Sequence, residues 1–180
     1  LNTRVPFGTP LGRTSDPDTA AVAIERQLPI VSDLFFGKVA NEWVFNVAMP
    51  VYPKSGPPHV LLMTRNAASL TAALVPRKLA DGWNAALVDG KNMVIASTSP
   101  VNKTGQGFFL DLISKGPAAS GEMTATHDGT AYQAIVQGSD LSGWNIVMWA
   151  PMTALNRPLH NALLSLTMGG AVMLGLGIAA

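Results

Sequence analysis

Cysteine is absent from this chain of 180 residues, and charged residues make up only 13% of it. The lack of cysteine excludes disulfide bonds, thiol nucleophiles and thiolate metal sites. The 12 basic and 11 acidic residues leave a formal net charge of +1, and the basic residues form no run. A nucleic-acid-binding role is therefore excluded, because such proteins carry a basic patch that attracts the phosphate backbone.

Motifs of the common enzyme classes are also missing. The sequence contains no nucleophile elbow of the type Gly-x-Ser-x-Gly, no phosphate-binding loop and no dinucleotide-binding Gly-x-Gly-x-x-Gly. Its three histidines, His59, His127 and His160, lie far apart in different predicted elements. We therefore predict no catalytic residue, no metal ligand and no cofactor. A hydrolase in which Ser32 acts as nucleophile beside Asp33 is a minor alternative to a turn that these side chains stabilise.

The C-terminal segment, in contrast, is strongly apolar. Residues 162–180 read ALLSLTMGGAVMLGLGIAA, 19 residues without a charge, and about 20 such residues cross a bilayer as a helix. Ala171, Gly175 and Ala179 recur at every fourth position, a small-residue stripe typical of packed membrane helices. The four glycines and the lack of a polar face argue against a buried helix of a soluble core. We expect residues 162–180 to attach the protein to a membrane.

The first half of the chain predicts a strand, a turn, a strand and a helix. Apolar residues alternate over 43–51, and a second apolar run at 59–65 follows the Pro- and Gly-rich turn 52–58. The pattern of 66–76 predicts a short helix. A helix over 15–29 precedes this unit, with Ser15 or Asp16 as its N-terminal cap and Pro29 after its end.

The second half repeats this unit and adds a hairpin before it. Strands are predicted at 83–89, 93–98, 131–137 and 144–150, with a short helix at 105–116. The strands at 83–89 and 144–150 both follow the tripeptide Gly-Trp-Asn and are apolar at nearly every position, so both of their faces should be covered. We therefore predict that these two strands are central neighbours in one antiparallel sheet.

Several short motifs in this order and spacing resemble a known family. They are NTRVPFGTPL (2–11), VSDLF (31–35), Pro50, the GW, LVD and VIAST elements of 82–98, and LSGWNIVMWAP (141–151). The arrangement resembles the PAS-like Cache fold, an α+β fold with flanking helices around a five-stranded antiparallel sheet whose first and last strands are central neighbours. More narrowly, it is similar to the extracytoplasmic double-Cache region of bacterial membrane sensor histidine kinases.

The resemblance implies a domain organisation. Residues 1–78 would form a membrane-distal module, 79–155 a membrane-proximal module, and 156–180 a helix leading into the membrane. The membrane helix, long helix and first strand with which such regions begin have no counterpart here, so the distal module is interpreted as N-terminally truncated. Its sheet would need upstream sequence or a partner chain to close. The hairpin turn Asp89-Gly90-Lys91-Asn92 also departs from the usual Asp-x-x-Gly.

The function implied is periplasmic ligand sensing in an inner-membrane signalling protein, most closely a two-component histidine kinase that works as a homodimer. The region itself would bind an unknown small molecule and would not be an enzyme. Two alternatives stay open. The region could be a PAS-like interaction or spacer module without a small ligand, or it could serve a different output, such as a diguanylate cyclase or a chemoreceptor.

The candidate ligand-binding residues belong to the distal module. Because Cache-like modules hold ligands between the sheet and the crossover loops, we predict a site formed by Arg4, Ser32, Asp33, Trp43, Phe45 and Asn46. Arg4 could pair with a ligand carboxylate and Trp43 could stack on an apolar ligand body. The alternative is that Trp43 and Phe45 belong to the core and that Asp33 caps a helix or turn.

The proximal module offers weaker candidates. They are Ser97, Thr98, Lys103 and Tyr132, in a sheet that is filled mostly by apolar residues. Trp83 and Trp144 are assigned to packing.

Overall fold

The computed structural model describes residues 3, 5–10, 12, 14–74, 79–111 and 120–156. The elements in chain order are α1 (Asp18–Arg26), β1 (Ile30–Val31), β2 (Phe35–Gly37), β3 (Glu42–Val51), β4 (His59–Asn66), α2 (Ala68–Leu74), β5 (Asn84–Val88), β6 (Val94–Ser97), β7 (Gly121–His127), β8 (Thr130–Gly138) and β9 (Asn145–Pro151). Residues 152–156 are helical. The strands form two antiparallel sheets, which confirms the predicted α+β class.

The first sheet is built around the long strand β3. One edge of β3 pairs with β1 and β2. The other edge pairs with every residue of β4, from Val44↔Asn66 to Val51↔His59. The predicted sequence of strand, turn, strand and helix is confirmed here. The polar and Pro-rich residues 52–58 form the connection between β3 and β4.

The second sheet has five strands in the order β6-β5-β9-β8-β7. Strands β5 and β9 pair in antiparallel register from Asn84↔Trp149 to Val88↔Asn145. The prediction that the two strands following Gly-Trp-Asn are neighbours is therefore confirmed. The first and last strands of this sheet lie side by side, as expected for the PAS-like arrangement.

One face of the second sheet packs under the segment that follows β6. Val88, Val147 and Trp149 on this face contact Phe108 and Leu110, all of them buried. This hydrophobic cluster removes the apolar side chains of β5 and β9 from water, which is the main stabilising term for the sheet.

The predicted helix at 105–116 is wrong for its described part. Residues 105–111 are not helical, because their backbone bonds to β6: the N–H of Gly105 donates to the carbonyl of Val94 at 2.8 Å. The side-chain amide of Asn92 holds the carbonyls of Phe108 and Leu110 at 3.0 and 3.1 Å, so they are not used within a helix. Residues 112–116 lie outside the described residues.

The two sheets share a second hydrophobic cluster. Phe45 from the first sheet and Ile95 from the second meet there with Leu34, Ala67 and Trp144. Strand β3 is therefore covered on both faces over its first half, where Val44, Phe45 and Asn46 are all buried. Burial alternates from residue to residue only in the second half of β3. There Met49 and Val51, which were predicted to share a face with Trp43 and Phe45, are exposed.

Helix α1 is shorter than predicted. It starts where the carboxylate of Asp16 accepts the backbone N–H of Thr19 at 3.3 Å and its hydroxyl at 2.8 Å, the bond expected of an N-terminal cap. It ends at Arg26, and Gln27 follows with a left-handed φ of 57°. The helix thus stops before Pro29 is reached.

Three predicted features fall on residues that the structure does not describe. Arg4, the end of the predicted helix at 66–76 and the membrane segment 162–180 lie outside the described ranges. Within those ranges, no helix has both the length and the apolar character needed to cross a membrane.

Candidate functional site

The predicted ligand-binding residues of β3 point to opposite faces of the first sheet. Asn46 lies between Val44 and Ala48 on the face toward α1, whereas Trp43 and Phe45 face the second sheet. Successive residues of a strand alternate between its faces, so these side chains cannot line one cavity together.

Four polar side chains meet between α1 and the first sheet, and we call them the polar cluster: Asp16, Thr19, Asn46 and Thr64. The amide of Asn46 donates to Asp16 Oδ2 at 2.8 Å, and its oxygen accepts the hydroxyl of Thr64 at 2.7 Å. Asp16 Oδ1 accepts the hydroxyl of Thr19 at 2.8 Å. Asn46 is only 4% exposed, so it lies at the centre of a chain of hydrogen bonds that joins the helix start to β4.

The polar cluster offers both hydrogen-bond acceptors and donors. The Asp16 carboxylate can accept bonds from an amine or amide, and the Asn46 side chain can both donate and accept. The cluster groups pair with one another in this structure, so a polar ligand would bind by replacing some of these bonds. Burying a polar group without a hydrogen-bond partner is costly. A ligand would therefore have to supply new partners for the groups whose present hydrogen bonds it replaces.

Ser32 adjoins the polar cluster through the backbone of β3. Its hydroxyl oxygen accepts the N–H of Asn46 at 2.9 Å and donates to the carbonyl of Asp33 at 2.7 Å. The carbonyl of Ser32 accepts the indole N–H of Trp144 at 3.1 Å. Ser32 therefore connects the centre of the polar cluster to the second sheet.

Asp33 lies at a different place, where the loop between β1 and β2 meets the turn after β5. Its Oδ1 accepts the N–H of Gly90 at 3.1 Å, and its Oδ2 lies 3.5 Å from the Lys91 ammonium. Asp89, in return, accepts the N–H of Leu34 on its Oδ2 at 2.9 Å. We call this reciprocal pairing of Asp33 and Asp89 the carboxylate clasp.

Asp89 is almost fully buried, with 1% exposure. Burial raises the pKa of the Asp89 carboxyl above its ordinary value of 3.8, and the negative charge of Asp33 raises it further. The N–H groups of Met93, Leu34 and Lys91, which donate to its oxygens, oppose this rise. The net upward direction means that desolvation outweighs the hydrogen bonds.

Trp43 and Phe45 have packing environments. The Trp43 ring meets Phe36 edge-on at 5.6 Å between centroids, and Phe45 meets Trp144 edge-on at 5.0 Å. Gly105 lies so close to the Trp43 ring that no side chain would fit there. These contacts agree with the alternative that Trp43 and Phe45 belong to the hydrophobic core. A ligand-binding role for either residue stays a prediction.

The weaker candidates of the second sheet also have structural partners. The Thr98 hydroxyl accepts the N–H of Ala85 at 2.8 Å, and the Ser97 hydroxyl lies 3.3 Å from the Ala85 carbonyl. Tyr132 packs edge-on against Phe109 at 5.1 Å. Ser97 and Thr98 therefore extend the hydrogen bonding between β5 and β6. Tyr132 belongs to the aromatic packing on one face of the second sheet.

Of the six predicted residues, the structure brings Ser32 and Asn46 together and places Asp33, Trp43 and Phe45 at the contact between the sheets. Arg4 lies outside the described residues. Sequence reasoning identified Asp16 only as a helix cap and Asp89 only as a turn residue, and it missed Thr19 and Thr64. A signal for the cluster was present: Asn46 is a polar residue inside an apolar strand pattern, and such a side chain needs buried partners.

Sequence comparison matches no protein-family model and no curated protein. Comparison of structures matches sensor domains. The ligand-binding domain of Mlp24 with asparagine has a TM-score of 0.60 at 16% identity, over 82% of this chain and 62% of that one. The ligand-binding domain of PctB, an amino acid chemoreceptor of Pseudomonas aeruginosa PAO1, in complex with L-Arg, has a TM-score of 0.60 at 14% identity, over 87% and 63%.

A third structure extends the similarity to kinases. The extracellular domain of mmHK1S-Z3, whose parent protein is assigned as a histidine kinase, has a TM-score of 0.65 at 9% identity, over 80% of this chain and 56% of that one. The chain thus spans 56% to 63% of the length of these three domains. It has the fold of the extracellular sensor domains of chemoreceptors and histidine kinases, which confirms the resemblance seen in the sequence.

Proposed function

We propose that this chain is the extracytoplasmic ligand-sensing region of a membrane signal-transduction protein. The observation that carries the proposal is the second sheet, whose closing strand β9 pairs with its opening strand β5 and continues directly into the helical residues 152–156. A shift of β9 on ligand binding would therefore move this helix without an intervening loop. The similarity to sensor domains of chemoreceptors and histidine kinases supports the same function.

The proposal includes the organisation of the whole protein. Residues 1–78 and 79–155 are a distal and a proximal module in the periplasm, and 156–180 lead through the inner membrane at 162–180. A two-component histidine kinase working as a homodimer is the output we favour, with a chemoreceptor or a diguanylate cyclase as the alternatives. The unpaired edge of β4, which no described strand covers, supports a distal module that another segment or a partner chain completes.

The ligand site we propose is the polar cluster together with Ser32. Asp16 and Asn46 would contact a small molecule that carries an amine or an amide, because a carboxylate beside a carboxamide complements such groups. Arg4 stays a prediction as the partner of a ligand carboxylate. The neighbouring structures hold asparagine and L-Arg, so L-amino acids are the first ligands to test.

The test is a thermal-shift screen of the protein against L-amino acids, small carboxylic acids and amines. A ligand present at about 100 times its Kd stabilises the folded state by about 2.7 kcal/mol. Asn46→Ala and Asp16→Asn should reduce this stabilisation to about half or less at the same ligand concentration, whereas Asp18→Asn, an exposed carboxylate in the first turn of α1, should preserve it. A screen without any shift would reject the small-molecule proposal in favour of the interaction module.

One feature favours that second function. The outer half of the β3–β4 hairpin exposes Met49, Leu61 and Met63 at 51%, 66% and 54%, and Met49 lies directly opposite Leu61 in the register. Exposed apolar side chains in one patch are typical of protein contacts. If the region works through this surface, Leu61→Glu should reduce signal output in the full-length protein while any ligand-induced thermal shift stays intact.

A further inference from the structure

Beyond ligand binding itself, we propose that Ser32 is a hydrogen-bond exchange point, which links the polar cluster to the contact between Trp144 and the first sheet. The Ser32 carbonyl has two donors within its reach, the indole of Trp144 and the backbone N–H of Asn46. Exchange of one donor for the other needs no ligand. Its use in signalling rests on the ligand site proposed above.

Ser32 lies where the pairing of β1 with β3 becomes irregular. Val31 is opposite Val47 in the register, so the next residue, Ser32, is opposite Asn46. The N–H of Ser32 donates to the Asn46 carbonyl at 2.9 Å, and in a regular antiparallel ladder two such residues exchange both of their N–H···O bonds. Here the N–H of Asn46 instead donates to the Ser32 hydroxyl oxygen, at 2.9 Å. The side chain of Ser32 therefore makes a ladder bond in place of its carbonyl.

This replacement makes the Ser32 carbonyl available to the second sheet. The carbonyl accepts the indole N–H of Trp144 at 3.1 Å. Ser32 and Trp144 are both buried, and a buried donor or acceptor that loses its partner is costly. The two bonds of Ser32 therefore depend on each other. If the carbonyl turned to the N–H of Asn46, the ladder would become regular and the indole would lose its acceptor.

The peptide group after Ser32 thus has two discrete arrangements. In the observed one, the hydroxyl holds Asn46 and the carbonyl holds Trp144; in the other, the carbonyl holds Asn46 and releases Trp144. An element with two arrangements can couple two sites that both bias it. Asn46 is the centre of the polar cluster, and Trp144 directly precedes β9. A ligand on the Asn46 side chain would act on the residue whose N–H selects the arrangement that holds the closing strand.

The test uses NMR on the protein without ligand. A scalar coupling across a hydrogen bond joins an amide nitrogen to the carbonyl carbon that accepts its proton, so it shows which oxygen the N–H of Asn46 uses. In the wild type, no such coupling should join the Asn46 nitrogen to the Ser32 carbonyl carbon. Ser32→Ala removes the hydroxyl, so this coupling should appear. The indole N–H of Trp144 should then exchange with solvent about tenfold faster, as expected for the loss of one hydrogen bond.

Thr98→Val is the matched control, because Thr98 has the same arrangement in the second sheet. Its N–H donates to the Ala85 carbonyl at 2.8 Å, and its hydroxyl accepts the N–H of Ala85 at 2.8 Å. No hydrogen bond in the described part of the chain joins Thr98 to Trp144. Removal of the Thr98 hydroxyl should therefore leave the exchange of the Trp144 indole unchanged.

Trp144→Phe tests the reverse direction, since coupling between two sites is reciprocal. It removes the indole donor and leaves Ser32 intact, and the coupling from the Asn46 nitrogen to the Ser32 carbonyl carbon should again appear. Absence of this coupling from both Ser32→Ala and Trp144→Phe would overturn the proposal. So would its presence in the wild type, or an equal change of indole exchange in Ser32→Ala and Thr98→Val. A thermal-shift screen without any shift would reject the ligand site alone, because none of these measurements uses a ligand.

Discussion

The indole N–H of Trp144 donates a hydrogen bond of 3.1 Å to the carbonyl of Ser32, a residue 112 positions earlier in the chain. The Trp144 ring also packs against the Phe45 ring in a T-shaped arrangement, with 5.0 Å between the ring centroids. Trp144 therefore reaches from the start of the second sheet's closing strand to both the backbone and the core of the first sheet. It joins the segment that carries Ser32 to the strand that leads out of the domain.

Trp144→Ala should lower the free energy of unfolding by about 3–5 kcal/mol, because it leaves a cavity in the cluster between the sheets. Trp144→Phe should cost less, since it restores part of the packing but leaves the Ser32 carbonyl without its donor. Urea denaturation monitored by far-UV circular dichroism measures both. Phe7→Ala is the control for loss of an aromatic ring, because Phe7 is 93% exposed. A loss below about 1 kcal/mol for Trp144→Ala would contradict its place in the core.

Gly105→Ala should destabilise the protein by at least about 2 kcal/mol. The residue has a φ of 83°, a conformation that costs an alanine about 1–2 kcal/mol, and its methyl group would overlap the Trp43 ring. Gly107→Ala is the control, since nothing lies within 4 Å of the added methyl group there. In a double-mutant cycle, Trp43→Ala should reduce the cost of Gly105→Ala. Strictly additive costs would mean that the Trp43 ring does not approach Gly105.

Asn46→Asp should destabilise the protein by about 1–3 kcal/mol at pH 7, because a buried donor is replaced by a charge. The new carboxylate would face Asp16, whose oxygen lies 2.8 Å from the amide that is lost. A pair of carboxylates takes up a proton more readily than a single one, so the destabilisation should be smaller at pH 5 than at pH 7. Urea denaturation of the wild type and the variant at both pH values checks this, and equal losses at both would contradict the arrangement of the polar cluster.

The sequence was sufficient to predict the second sheet. Gly-Trp-Asn precedes two strands that are apolar at nearly every position, a pattern typical of strands in the interior of a sheet whose faces are packed against other segments. The pairing of Ala86 with Val147 is the direct outcome. The segment after β6 was not predictable in the same way. Phe109, Leu112 and Ile113 fit a helical spacing, whereas an extended spacing fits Phe108 and Leu110. The Asn92 side chain decides between the two by binding their carbonyls, and that bond forms only once β6 is in place.

The candidate site was harder to predict for a related reason. Asn46, Trp43 and Phe45 are neighbours in the sequence, yet the alternation of the strand separates Asn46 from the two aromatic residues. Asp16 meets Asn46 across 30 positions, and this contact depends on where α1 packs on the sheet. The carboxylate clasp likewise joins residues 55 and 57 positions apart. Local patterns carry no information on such distances.

Binding of a small ligand at the polar cluster is the central claim, and isothermal titration calorimetry tests it most directly. The ligand with the largest thermal shift is titrated into the wild type, Asn46→Ala and the control Asp18→Asn. Loss of one hydrogen bond of about 1.4 kcal/mol weakens binding about tenfold, so Asn46→Ala should raise the Kd by at least about that factor while Asp18→Asn leaves it unchanged. A Kd that is the same for all three proteins would contradict the account.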